Sequence, residues 1–122
     1  MRGLYAITPD TLDTDRLVGQ VRQAIAGGAS IVQYRGKRVE PALARMQATA
    51  LRGLTRLTGT LFIVNDDSDL ALSVEADGVH IGRDDGGPEA VARIRHASGA
   101  PFLIGVSCYN QLARAKDAVD AG

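Results

Sequence analysis

The sequence predicts an α/β fold: parallel βα units of a (β/α)8 barrel, the first five of eight, forming a single domain over residues 1–122. Three observations predict it. Five short apolar segments alternate with stretches of helical periodicity, the pattern of βαβ crossovers on a parallel sheet. Each of segments two to five ends in residues able to hold an anion or a metal, as on a barrel's C-terminal face. No glycine-rich fingerprint follows the first segment, where a doubly wound dinucleotide fold would carry one. Length alone favours the competing open five-stranded sheet, because a closed barrel typically takes about 250 residues. The spread of polar residues over several strand ends favours barrel topology, cut short.

The elements follow in order. Leu4-Tyr5-Ala6-Ile7-Thr8 reads as a strand stopped by Pro9. Leu17, Val18, Val21 and Ile25 recur at helical spacing, with Asp13 or Thr14 as N-cap and Gly27-Gly28 as stop. Ser30–Tyr34 is the second strand. A long amphipathic helix runs from about Glu40 to Leu57, with Pro41 in its first turn, where proline is tolerated. Leu61–Asn65 is a third, almost unbroken apolar strand, and Ser68–Val74 allows only a short helix. Gly78–Ile81 is the fourth strand, Pro88–His96 a helix, and Phe102–Val106 the fifth strand. Asn110 caps a last helix carrying Leu112, Ala115 and Val119.

Composition narrows the class. Fourteen basic residues balance 14 acidic ones, so no global field draws in nucleic acid or an anionic membrane. Aromatic residues are scarce and Trp is absent, leaving Val, Ile, Leu and Ala to fill the core, which suits buried parallel strands. No apolar run reaches the roughly 18 residues of a membrane span. The N-terminus carries a charge at Arg2, but Pro9 and Asp10 cut the following apolar segment short, which argues against a signal peptide. The single Cys108 excludes an internal disulfide and fits a reducing, cytoplasmic setting.

The strand ends carry the chemistry. Gln33, Arg35 and Lys37 alternate, so all three face one way if the second strand persists that far. The planar fork of Arg and the compact charge of Lys together suit a diphosphate; a solvated loop would also accept them. Asn65-Asp66 and Asp84-Asp85 end adjacent strands, where two carboxylates can share a hard cation. Asp66 to Ser68 and Asp85 can equally cap helices or turns, so one Asp of each cluster is read as a ligand and the rest as caps or solvent-facing groups. His80 lies within a strand pattern and reads as a buried structural histidine rather than a base. Ser107 lacks a recognisable His/Asp partner and reads as a hydrogen-bond donor to substrate, not a nucleophile.

At these residues the chain resembles the thiamine-phosphate synthase (thiamine-phosphate pyrophosphorylase) family. The match is collinear through Leu4–Thr8, Gly28–Lys37, Asn65–Leu72, Ala76–Asp85 and Ile104–Ser107, and covers essentially the whole chain. The resemblance implies a TIM barrel that joins hydroxymethylpyrimidine diphosphate to a thiazole phosphate, releasing pyrophosphate with Mg2+. It implies that Gln33 contacts the pyrimidine, that Arg35, Lys37 and Asn65 hold the diphosphate, that Asp66 and Asp85 bind Mg2+, and that Ser107 lines the pyrimidine pocket. The family's catalytic lysine and thiazole-phosphate loops come from later strands, beyond Gly122. Gly36 stands where the family usually has an acidic residue, and Arg83 where it usually has Gln.

Three functions compete: an enzyme of this family, a non-catalytic diphosphate-binding half-barrel, and a relative of the thiazole tautomerases, against which the retained Asp66 and Asp85 count. An incomplete barrel has open sheet edges, which predicts homo-oligomer formation through them.

Overall fold

The computed structural model describes residues 4–82, 88–98 and 102–106. The chain runs β1 (Leu4–Ile7), α1 (Thr14–Ala26), β2 (Ala29–Tyr34), α2 (Pro41–Thr58), β3 (Leu61–Asn65), α3 (Ser68–Ser73), β4 (Gly78–Ile81), α4 (Pro88–Ser98), β5 (Leu103–Val106). These match the expected elements to within two residues at each end. The expected helix from Asn110 lies outside the described residues, as do Arg83, Asp85, Ser107 and Cys108.

Local chemistry sets the boundaries. The Asp13 carboxylate accepts the Arg16 amide at 3.1 Å and starts α1, and the Gly27 N–H closes its end on the Gln23 carbonyl at 2.9 Å. Pro41 opens α2 with its φ preset and no amide to leave unpaired. Asp67 caps α3 by accepting the Leu70 amide at 2.9 Å.

All five strands are parallel, in the order β1-β2-β3-β4-β5. That order decides between the two topologies. A doubly wound sheet reverses direction at a switch point, whereas here every crossover steps to the next strand on the same side. Right-handed crossovers that never reverse place all their helices on one face. One core records this: Leu17 and Val21 of α1, Leu51 of α2, Ala71 of α3 and Ile94 of α4 pack against Val32, Phe62, Val64, Val79 and Ile81. Phe62, Leu17 and Leu51 are fully buried, and truncating such a side chain to alanine typically costs about 2–5 kcal/mol.

The opposite face of the sheet is the inside of the barrel curve. Strand register arranges it in rows. Tyr5, Ile31 and Leu61 form one; Ile7, Gln33, Ile63, Gly78 and Leu103 the next; Asn65, His80 and Gly105 the row nearest the C-terminal strand ends.

Candidate active site

Gln33 is placed by β2 in the middle row and is only 4 % exposed. Its Nε2 donates to the Tyr5 hydroxyl at 2.6 Å. Above it the alternation expected for Arg35 and Lys37 stops, because β2 ends at Tyr34 and the chain turns, with the Val39 amide bonded to the Gly36 carbonyl. The Thr8 hydroxyl takes up the Arg35 amide at 2.9 Å, a bond that a longer β1 would otherwise supply. Arg35 and Lys37 are therefore exposed loop residues, not an inward-facing strand stripe.

Lys37 nevertheless reaches the next strand end, its Nζ 3.9 Å from Asp66 Oδ2. Both side chains remain partly exposed, and a contact at that distance and exposure contributes little to stability. A cation and a carboxylate are thus held side by side without being consumed by each other.

Asp66 is fixed more firmly. Its backbone has φ 66°, a left-handed conformation that Asp tolerates better than most residues. Its amide donates to the His80 carbonyl at 2.7 Å, and its Oδ1 accepts the Gly82 amide at 3.0 Å. One residue therefore ties β3 to the end of β4 and turns its second carboxylate oxygen toward Lys37. Asp67, not Asp66, caps α3, so the acidic run divides into a cap and a carboxylate that faces the strand ends. Asn65 closes β3 in register with His80.

Among the described residues, no group of three or more His, Cys, Asp or Glu side chains could hold a metal ion. Asp66 alone offers one carboxylate position, with one oxygen bonded to the Gly82 amide and the other 3.9 Å from Lys37 Nζ and partly exposed. That fits a hard cation that completes its shell with water and phosphate oxygens. Asp85, the second expected ligand, and Ser107 lie outside the described residues.

His80 is not sunk in the helix-side core. It is half-buried on the inner face, where Gly105 makes room for it: a Cβ at that position would stand 2.9 Å from His80 Nδ1. Burial pushes its imidazole below the ordinary histidine pKa, and the Asp66 charge opposes that shift. A cavity of about 390 Å3 on this face is bounded by Tyr5, Ile7, Gln33, Ile63, His80 and Leu103. A larger hollow of about 620 Å3 opens instead between α2 and α3, around Val39, Arg45, Asp69 and Ser73. Of the two hollows, only the smaller is lined by Gln33.

Sequence reasoning missed Tyr5. Tyr5 belongs to an apolar strand segment, and its polar use becomes visible only when β1 lies beside β2.

The descent of this arrangement follows from comparison with known proteins. The profile of the family described as thiamine monophosphate synthase matches residues 4–122. The chain belongs to that family. It is 51 % identical over 120 residues to the thiamine-phosphate synthase of Bordetella pertussis, covering 98 % of this chain and 54 % of that protein. It is 50 % identical over 122 residues to the enzyme of the same name from Methylobacillus flagellatus, covering 100 % of this chain and 57 % of the relative. The solved thiamine phosphate pyrophosphorylase of Pyrococcus furiosus superposes with a TM-score of 0.79 at 37 % identity, over 97 % of this chain and 55 % of that one. The five strands and four helices described thus form part of the TIM-barrel fold of the thiamine monophosphate synthase family. The chain spans about half the length of the curated relatives it matches. No helix among the described residues is long and apolar enough to cross a membrane.

Proposed function

We propose that this chain carries the pyrimidine-diphosphate side of a thiamine-phosphate synthase site, in a cytoplasmic, Mg2+-dependent transferase. The reaction joins hydroxymethylpyrimidine diphosphate to thiazole phosphate and releases pyrophosphate. The observation that supports this most is the Lys37–Asp66 pairing at the strand ends, with Gln33 buried on the inner face of β2.

In this reading the inner-face cavity takes the pyrimidine, with Gln33 and Ser107 as polar contacts and aliphatic walls excluding water. Arg35, Lys37 and Asn65 hold the diphosphate at the rim. Asp66 and Asp85 would hold Mg2+, which when bound neutralises charge on the leaving group. The bond between the pyrimidine methylene carbon and the diphosphate oxygen breaks with its electron pair going to oxygen. The resulting pyrimidinylmethyl cation is captured by the thiazole nitrogen, forming the C–N bond. Arg35 and Lys37 stabilise the departing diphosphate as its charge grows, so their preorganisation contributes most where charge develops.

The test is calorimetric titration with hydroxymethylpyrimidine diphosphate, with and without Mg2+, alongside a coupled assay containing both substrates. Mg2+-dependent binding that is lost in Asp85→Ala supports the reading; binding indifferent to Mg2+ and to that substitution overturns the metal assignment. Turnover in the coupled assay assigns the full reaction to this chain, and binding without turnover assigns it the diphosphate-binding role alone.

A further inference from the structure

Gln47 is a polar residue only 1 % exposed on the core-facing side of α2, where the helix otherwise buries Ala48 and Leu51. The Tyr34 hydroxyl donates to its Oε1 at 2.6 Å. Its Nε2 donates to the Thr11 carbonyl at 2.9 Å and, more weakly, to the Thr14 hydroxyl at 3.4 Å. A Leu facing a Phe would fill similar space without polar groups that need partners. What the bonds add is direction: packing alone lets a ring slide along its long axis, and a hydrogen bond at its tip opposes that slide. The tip of the Tyr34 ring is also what Gly36 lies against, since a Cβ on Gly36 would meet the hydroxyl. Gly36 stands between Arg35 and Lys37. The loop between β1 and α1 pins this stretch on either side: Thr8 Oγ1 accepts the Arg35 amide at 2.9 Å, and Asp10 Oδ1 accepts the Arg38 amide at 3.2 Å. Thr11, the partner of Gln47, belongs to that same loop.

From this arrangement we propose that Gln47 is a positioning residue for the cationic loop: by joining the Tyr34 hydroxyl to the Thr11 carbonyl it fixes the seat of Gly36, and with it the placement of Arg35 and Lys37. The Thr8 and Asp10 bonds hold the two ends of the loop, and the Tyr34–Gln47 bond sets its middle. Gln47 acts through Tyr34 and Gly36 rather than by contact with a ligand. Arg35 and Lys37 are exposed side chains on long stems, so the backbone that carries them governs where their charges are held. Loosening that backbone costs affinity for an anion without removing a charge, because the loop must then be ordered when the anion binds. The inference rests on the proposal that Arg35 and Lys37 hold a diphosphate, and it adds the buried residue that places them.

The test titrates inorganic pyrophosphate with Mg2+ into wild type, Gln47→Met, Tyr34→Phe, the double variant and Leu51→Val, each shown by circular dichroism to be folded at the assay temperature. Leu51→Val trims the same buried face of α2 one turn further on and serves as the structural control. Gln47→Met and Tyr34→Phe should each weaken pyrophosphate about tenfold, the double variant no more than either alone, and Leu51→Val less than twofold. Losses that multiply in the double variant, or a loss in Leu51→Val as large as in Gln47→Met, make Gln47 an ordinary core residue and overturn the inference. Tyr34→Phe keeps the ring and carries the test if Gln47→Met does not fold. In the ligand-free chain, the Arg35, Gly36 and Lys37 amide resonances should shift in Gln47→Met or, failing that, in Tyr34→Phe; unchanged loop resonances overturn the positioning without reference to any ligand. If wild type does not bind pyrophosphate, the diphosphate reading fails and this inference with it. If wild type binds it and both single variants bind it equally well, this inference alone fails.

Discussion

The Asp77 carboxylate grips the Arg52 guanidinium by two contacts, 2.9 and 3.3 Å, while the same carboxylate accepts the Phe62 amide at 2.8 Å. The Asp77 backbone also donates to the Phe62 carbonyl and accepts from Leu103, so one residue joins α2, β3 and β5 just before β4 begins. Arg52 is only 13 % exposed. Removing the acid leaves that charge without its partner, and Asp77→Ala should destabilise the fold by about 3 kcal/mol. Urea denaturation measures this. Because Asp77 lies at the opposite end of the strands from Lys37 and Asp66, diphosphate binding by the folded fraction should be unchanged; a loss of affinity at full folding would refute the separation.

Asp66 separates charge from geometry. Asn tolerates the left-handed backbone and can still accept the Gly82 amide through its carbonyl, so Asp66→Asn should change stability by less than about 1 kcal/mol. Its Mg2+-dependent affinity for the diphosphate should fall at least tenfold. Asp66→Ala also loses the Gly82 bond and gains strain, and should cost about 2 kcal/mol in addition to the affinity. Equal binding by wild type and Asp66→Asn would remove Asp66 from the metal site.

Tyr34 predicts a pH dependence. Burial, and secondarily the Asp10 charge, push its hydroxyl up to about 12, whereas the unfolded chain ionises near 10. Between these values the folded state holds the proton that the unfolded state has lost, so stability falls as pH rises through that window. Denaturation midpoints of wild type should drop from pH 10 to 12 more steeply than those of Tyr34→Phe. Near neutral pH, Tyr34→Phe should cost about 1 kcal/mol, because the hydroxyl donates to Gln47 Oε1 at 2.6 Å in a buried pair. Parallel curves above pH 10 would sink the assignment.

Gly36 is coupled to the same ring. A Cβ there would meet the Tyr34 hydroxyl and stand 2.7 Å from its Cζ. Gly36→Ala should therefore cost about 2 kcal/mol in wild type and much less in a Tyr34→Leu background, a coupling readable from a double-mutant cycle. Simple additivity of the two substitutions would show that the ring does not set the requirement for glycine.

The sequence made the elements legible wherever a single residue type dictates local geometry. Asp13, Gly27 and Pro41 fix helix ends through bonds a few residues long, and the buried strands announce themselves as apolar runs. Topology was legible less directly, through polar residues at successive strand ends, and the sequential strand order agrees with it. The condition for an Arg35 and Lys37 stripe, that β2 continue past Tyr34, is not met, because alternation in sequence does not say where pairing stops; the Thr8 hydroxyl, just past β1, takes the Arg35 amide instead. Asp77 carries no local signal of its role. Its role depends on Arg52, 25 residues away, and on the Phe62 amide, neither of which a local pattern can reveal. Tyr5 was hidden for the same reason.

The strictly sequential order of the sheet also shapes how this chain gains and loses structure. Each strand pairs only with the units made immediately before and after it, so the sheet behaves like a stack with nearest-neighbour couplings rather than a weave. Amide exchange should be slowest along β2, β3 and β4, which have neighbours on both sides, and faster in β1, whose Leu4 and Ile7 are already more than half exposed.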